Sequence, residues 1–142
     1  MSIHQQVRDW WHARRKPKPL GVRGEAAAAR FLKQKGYVIV GRSERDRIGG
    51  IDLVAVDGRT VVFVEVKTRR HHDAGRPVEA VDSDKQRRIT RTSLSYLRRH
   101  DLLENAARLD IVAVTWPDGQ RMPTIEHCRD AFEPTDTGQM FS

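Results

Sequence analysis

Residues Gly49–Lys67 read GGIDLVAVDGRTVVFVEVK, two apolar runs (Ile51–Val56 and Val61–Val66) joined by Asp57-Gly58-Arg59-Thr60. Both runs are rich in Val and Ile, and Asp-Gly between such runs is a strong hairpin signal. Three charged residues break the apolar pattern, Asp52, Glu65 and Lys67, of a kind that buried strands normally exclude. With Gly58 and Arg59 as a two-residue loop, Asp57 pairs with Thr60. Asp52 then falls directly opposite Glu65, with Cβ atoms roughly 4.5–5.5 Å apart. A turn over Asp57-Gly58 shifts the pairing by one step and still leaves both carboxylates on one face. Side chains alternate along a strand, so Lys67 projects from the same face as Glu65.

Two carboxylates held that close repel each other unless one takes up a proton or a cation neutralises them. A hard divalent ion such as Mg2+ accepts carboxylate oxygens and keeps several waters. A lysine beside it stabilises developing negative charge or positions a nucleophilic water. The plainer alternative is a cross-strand Asp–Lys or Glu–Lys ion pair at a sheet end, and spacing alone leaves both readings open.

Asp52 followed by Glu65-Val66-Lys67 resembles the PD-(D/E)xK nuclease signature. Gly21–Gly36 (GVRGEAAAARFLKQKG), Ile51–Leu53, Phe63–Arg69 (FVEVKTR), Gly75–Val81 (GRPVEAV) and Lys85-Gln86 resemble the YraN-like family. These are small, mostly uncharacterised bacterial proteins related to archaeal Holliday-junction resolvases. The likeness runs from about Leu20 to Phe132. It implies a restriction-endonuclease-like α/β fold, a central mixed β-sheet with a β-hairpin flanked by helices. It also implies a Mg2+- or Mn2+-dependent nuclease acting on DNA, branched or damaged DNA included. Asp52, Glu65 and the Val66 carbonyl would hold the metal, Lys67 would position water or stabilise charge, and Glu25 and Gln86 would support the site. The sequence departs from the family at Gly50, where a glutamate typically precedes the Ile-Asp of the hairpin. That departure motivates the alternative of a non-catalytic nucleic-acid-binding or adaptor protein that keeps the fold. Resolvase relatives act as dimers on a two-fold symmetric junction, so the resemblance also raises a homodimer, although no dimer surface is legible here.

Over 142 residues, Lys plus Arg number 26 against 19 for Asp plus Glu, a net charge of +7. That excess favours a polyanionic partner, nucleic acid before an anionic membrane surface. Cys128 is alone, so no internal disulfide framework exists and a reducing cytoplasm fits best. No run of 18 apolar residues and no apolar leader is present, which argues against stable membrane insertion.

Three segments are expected: a basic, Trp-containing arm (1–19), one domain (20–133) and a disordered tail (134–142). In the arm, Ile3, Val7, Trp10 and Trp11 share a helical face, Arg14, Arg15, Lys16 and Lys18 follow, and Pro17 and Pro19 end it. Stacking on bases, seating at a membrane surface or protein partner, and docking on the main domain all remain open for the Trp pair. Gly21–Lys35 reads as the first helix, stopped by Gly36. Glu25 lies on its inward stripe, where a first-turn electrostatic role competes with a site role. Tyr37–Gly41 reads as a short buried strand, and Arg42–Arg47 as a polar stretch beyond it. Thr68–Gly75 reads as a loop in which His71 and His72 are solvated and Arg69 and Arg70 are placed to meet phosphates. A helix over Asp84–Arg99, capped by Asp82 or Ser83, presents Gln86, Ile89, Thr90, Ser93 and Leu97 inward. Lys85, Arg87, Arg88 and Arg91 lie outward as phosphate contacts or a solvated face. Gln86 either serves the site or satisfies a nearby strand end. Leu109–Val114 is the next buried strand, with Asp110 near its start and not expected as a ligand. Ile125–Cys128 reads as a last edge strand.

Overall fold

The computed structural model describes residues 2–8, 18–71 and 75–134. Trp10, Trp11, Arg14, Arg15, Lys16, Pro17, His72 and residues 135–142 lie outside them. A first long helix, α1 (Leu20–Gln34), leads into strands β1 (Val38–Arg45), β2 (Gly50–Asp57) and β3 (Thr60–Arg69). A 3-10 turn at Pro77–Ala80 precedes α2 (Ser83–Arg99), and β4 (Ala107–Thr115) and β5 (Thr124–Cys128) follow. The five strands form one sheet in chain order. Neighbours are antiparallel except β3 and β4, which are parallel. A parallel pair needs a long crossover, and α2 supplies it. This is the mixed α/β arrangement expected of a restriction-endonuclease-like domain, with the hairpin inside the sheet.

The hairpin register is the one that the Asp-Gly turn implies. Asp57 pairs with Thr60 and Leu53 with Val64, and Gly58 takes a φ of +62° at the turn, a conformation that glycine adopts without steric cost. Each face of the sheet carries its own core. Leu53, Ala55, Val62, Val64, Val112 and Val114 pack against Ala28, Ala29 and Leu32 of α1. Val61, Phe63, Leu109 and Ile111 pack against Ile89, Tyr96 and Leu97 of α2. Each large side chain so buried contributes about 1.5–3 kcal/mol.

Gly24 lets α1 reach the end of β3. A Cβ at that position would lie 1.9 Å from Thr68 Oγ1, so any side chain would push the helix away. The next residue, Glu25, is thereby carried near enough to Asp52 for its charge to act there. At its other end, α1 stops at Gly36, whose φ is +94°. The cap of α2 is Asp82, whose Oδ1 accepts the Lys85 N–H at 2.8 Å.

Two expectations are corrected. The first strand is neither short nor buried: it continues through Arg42–Arg45, and Val38 and Val40 are 60% and 50% exposed. It is an edge strand, with a pairing irregularity between Ile39 and Gly41, and solvent on its free side tolerates the polar residues that suggested a loop. Thr68 and Arg69 also belong to β3, because they pair with Val114 and Thr115 of β4. The edge strand expected near Ile125–Cys128 is β5. Among the described residues no helix is long and apolar enough to cross a membrane.

Candidate active site: an acid pair in a basic cleft

The hairpin ladder is recorded from Asp57–Thr60 to Leu53–Val64. One step beyond it Asp52 turns its carboxylate to the backbone of β3, where Oδ2 accepts the Val66 N–H at 2.8 Å. Glu65, only 9% exposed, faces it. Two lysines meet the same oxygen of Glu65: Lys85 Nζ lies 2.8 Å and Lys67 Nζ 3.7 Å from Oε1. Asp52 and Glu65 line a cleft of about 300 Å³ together with Arg45, Gly50, Lys85 and Arg88. A second cavity, of about 340 Å³, lies between α1 and the β4–β5 end and has no carboxylate in its lining.

Burial and mutual proximity set the electrostatics. Desolvation pushes the Asp52 carboxyl above the usual range; the Val66 hydrogen bond opposes this and the Glu25 charge reinforces it. Desolvation likewise raises Glu65, helped by the Asp52 charge and resisted by Lys85 and Lys67. Lys67 is lowered, first by burial and then by its neighbour Lys85. Burial works against the Lys85 charge too, but its hydrogen bond to Glu65 outweighs that and the ammonium is held. Acids pushed up within a cleft lined by cations are the kind of perturbation that functional sites concentrate.

The residues singled out in the sequence separate into two groups. Asp52, Glu65, Val66 and Lys67 come together, and Glu25 acts on Asp52 through its charge. Gln86 donates from Nε2 to the Val81 carbonyl at 3.0 Å, satisfying the connector before α2. Arg69 donates to Thr115 Oγ1 at 3.1 Å and to the Gly75 carbonyl at 2.6 Å. Arg70 pairs with Asp118 and Arg87 with Asp84. Arg91 is exposed, and Arg88 reaches the cleft.

Two site residues were missed or placed differently from sequence. Lys85 was read with the outward arginines and instead touches Glu65; its signal was its position in the first turn of α2. Arg45 was passed over with the polar stretch, and no sequence signal marked it; the structure pairs it with Gly50 across β1 and β2.

A second charged cluster, also missed, lies on the α1 face of the sheet. Asp110, 1% exposed, accepts from Arg108 Nε at 3.0 Å and from the Asp130 N–H at 2.9 Å. Its Oδ2 lies 2.7 Å from His127 Nε2, and Lys35 Nζ is 3.0 Å from His127 Nδ1. The Lys35 ammonium can only donate, so Nδ1 accepts and Nε2–H donates to Asp110. Arg108 also donates to Asp57 Oδ2 at 2.9 Å and to the Tyr37 hydroxyl at 2.5 Å. Burial alone would raise Asp110; the bonds from His127, Asp130 and Arg108 overcome it and hold the carboxyl below its usual range.

Among the described residues no group of three or more His, Cys, Asp or Glu is placed to hold a metal. The pair Asp52 and Glu65 still offers hard oxygen donors, the type that suits a divalent ion retaining several waters.

Comparison with known proteins gives close relatives along most of the chain. A UPF0102 protein of Rhodopirellula baltica is 45% identical, covering 90% of this chain and 81% of its own length. A UPF0102 protein of Geobacter sulfurreducens is 48% identical, covering 82% of this chain and 90% of its own. One of Rhodococcus opacus is 46% identical, covering 80% and 95%. Among solved structures, Pyrococcus furiosus SfsA in complex with Ca2+ gives a TM-score of 0.34 at 11% identity, over 72% of this chain and 58% of that one, a likeness too distant to bear on the site. Residues 24–114 match the uncharacterised protein family UPF0102, and that span holds both sheet faces, α2 and the acid pair: the chain belongs to this family.

Proposed function

We propose that this protein is a metal-dependent nuclease of the PD-(D/E)xK type, hydrolysing phosphodiester bonds in DNA, branched or damaged DNA included. The observation that carries the reading is the acid pair Asp52 and Glu65, buried side by side and faced by Lys67 and Lys85 in a cleft. In this reading Asp52, Glu65 and the Val66 carbonyl hold Mg2+ or Mn2+. Such an ion, when bound, lowers the pKa of a coordinated water and polarises the phosphate. The chain's own groups do the rest. The Val66 N–H fixes Asp52, so the acid pair is preorganised. Lys67, close to the acids and partly buried, offers positive charge to the developing phosphate oxygens. Arg45 and Arg88 at the cleft walls meet flanking phosphates, and the excess of 26 Lys and Arg over 19 Asp and Glu draws the polyanion in.

The test is a titration of Mg2+ and Mn2+ into wild type and Asp52→Ala by calorimetry, with linear, flapped and four-way DNA assayed alongside. Metal binding lost in the variant, together with cleavage abolished in both Asp52→Ala and Lys67→Ala while circular dichroism stays unchanged, is expected. Full activity in either variant sinks the mechanism.

One observation favours a second reading, a DNA-binding adaptor without catalysis. At the cleft wall the residue against Gly50 is Arg45, whose Nη1 lies 3.2 Å from where a Cβ would stand, so a phosphate-binding group lines this wall in place of an acid. Tight, salt-dependent DNA binding indifferent to Mg2+ and to Asp52 would select it.

A further inference from the structure

Lys85 stands in an unfavourable place for a lysine unless something nearby needs its charge. It lies in the first turn of α2, fixed by the Asp82 cap on its own N–H, at the end of the helix where the backbone dipole repels cations. Its ammonium nevertheless reaches back to β3 and lies 2.8 Å from Glu65 Oε1, closer than Lys67 at 3.7 Å. With Asp52 and Glu65 ionised and both lysines charged, the four groups sum to zero. The acid pair thus carries its own counter-charge in the resting protein, and Lys85 is the nearer of the two lysines to Glu65.

That arrangement conflicts with metal coordination. A carboxylate oxygen that accepts a short bond from an ammonium offers less electron density to a cation, and an ammonium at hydrogen-bond range of a metal ligand repels the metal directly. Resting on the metal-dependent reading above, we propose that Lys85 is a built-in competitor of the metal: it occupies Glu65 until a divalent cation displaces it. Metal affinity is then set by an exchange of one cation for another and stays weak in the protein alone. The exchange leaves the loaded site more positive than the resting one by the full charge of the ion, which suits a polyanionic substrate.

The test compares Mn2+ binding, by calorimetry or paramagnetic resonance of the ion, in wild type, Lys85→Met, Lys85→Gln and Arg88→Gln. Lys85→Met is expected to bind Mn2+ about tenfold tighter. It is also expected to melt lower than wild type in chelator and to regain more of its thermal stability when the ion is added. Lys85→Gln keeps a hydrogen-bond donor to Glu65 and loses only the charge, so it should tighten binding even if Lys85→Met folds poorly. Arg88 lines the same cleft without an ion pair to Glu65, and its variant should gain clearly less. Unchanged or weaker binding in both Lys85 variants overturns the exchange while leaving the metal-dependent reading in place. An equal gain in Arg88→Gln also overturns it, since a diffuse field would then account for the effect. No metal binding by any of the four proteins removes the metal-dependent reading and the exchange with it.

Discussion

Two buried clusters of charge lie on opposite faces of the same sheet, and they have opposite electrostatic character. Around Asp110 the acid is held below its usual range by Arg108, His127 and the Asp130 N–H, and Arg108 is in turn shared with Asp57 and Tyr37. Around Asp52 and Glu65 both acids are pushed up, because burial, with the Glu25 charge at Asp52 and the Asp52 charge at Glu65, exceeds what the hydrogen bonds and the two lysines return. In the first cluster the bonds from the surrounding groups outweigh the burial of the acid. The second is matched in formal charge by Lys67 and Lys85, but those bonds do not offset the burial of its acids, and it opens to a cleft. Charge burial alone therefore does not distinguish the two clusters; the direction in which each shifts its acids does.

The largest effect that tests this contrast is on stability. Asp110→Ala leaves Arg108, 12% exposed, and His127, 2% exposed at the side chain, without their common acceptor. Removing one partner of a buried pair typically costs about 3–5 kcal/mol, which urea unfolding would read as a large fall in midpoint. Asp52→Asn keeps an acceptor for the Val66 N–H and removes a repelling charge, so it should cost little or stabilise. Equal losses in the two variants would erase the distinction.

A smaller effect, and a sharper one, is the pH dependence. The ordinary values are 3.8 for Asp52 and 4.5 for Glu65, and both lie higher in the folded protein. Above the folded pKa the native state bears the full cost of confining two carboxylates. As pH falls through that value the folded protein takes up protons before the unfolded chain does, so this cluster adds stability on acidification until the unfolded value is reached. Asp110 runs the other way: its contribution is complete above 3.8 and is lost as pH falls through its depressed folded pKa. Wild type should thus gain stability from neutral pH toward 4.5 and lose it below 3.8. Asp52→Asn should reduce the first slope, leaving the part that burial alone gives Glu65, and spare the second. A first slope undiminished in Asp52→Asn would show that the Asp52 charge does not act on Glu65 as described.

What was legible in the sequence follows how local each signal is. The hairpin register came from the Asp-Gly turn and two Val-rich runs, and with it the meeting of Asp52 and Glu65. Gly36 and Asp82 mark a helix end and a helix start by chemistry that acts within a few residues. Residues 42–45 of β1 were not legible, because an edge strand with one solvated side has no apolar alternation to show. The Asp110 cluster was hidden for a different reason. Lys35 and His127 are 92 positions apart and Tyr37 and Arg108 71, and no period in the chain reports contacts of that range. Lys85 shared a basic run with Arg87, Arg88 and Arg91, and only the fold separates the ammonium that meets Glu65 from the guanidinium that pairs with Asp84.

The smallest effect, and the one that bears most directly on how the cleft differs from the closed cluster, is at Gly50. A Cβ there would lie 3.2 Å from Arg45 Nη1 and 3.3 Å from Arg45 Cγ. The contact is with an exposed, flexible side chain that can shift by a few tenths of an ångström. Gly50→Glu should therefore fold, with stability changed by no more than about 1 kcal/mol, the usual worth of an exposed ion pair. Its carboxylate would have two competing partners, Arg45 at the rim and, in the metal-dependent reading, the divalent ion that Asp52 and Glu65 would hold. The rim pair is screened by water, whereas the acid pair is buried, so in the metal-dependent reading the new acid should join Asp52 and Glu65 around the ion. Mn2+ affinity is expected to rise several-fold, with a modest loss of DNA binding as Arg45 is partly neutralised. Unchanged metal affinity with DNA binding strongly reduced would mean that Arg45 captures the acid. The cleft would then be, like the Asp110 cluster, a place where protein charges close on one another.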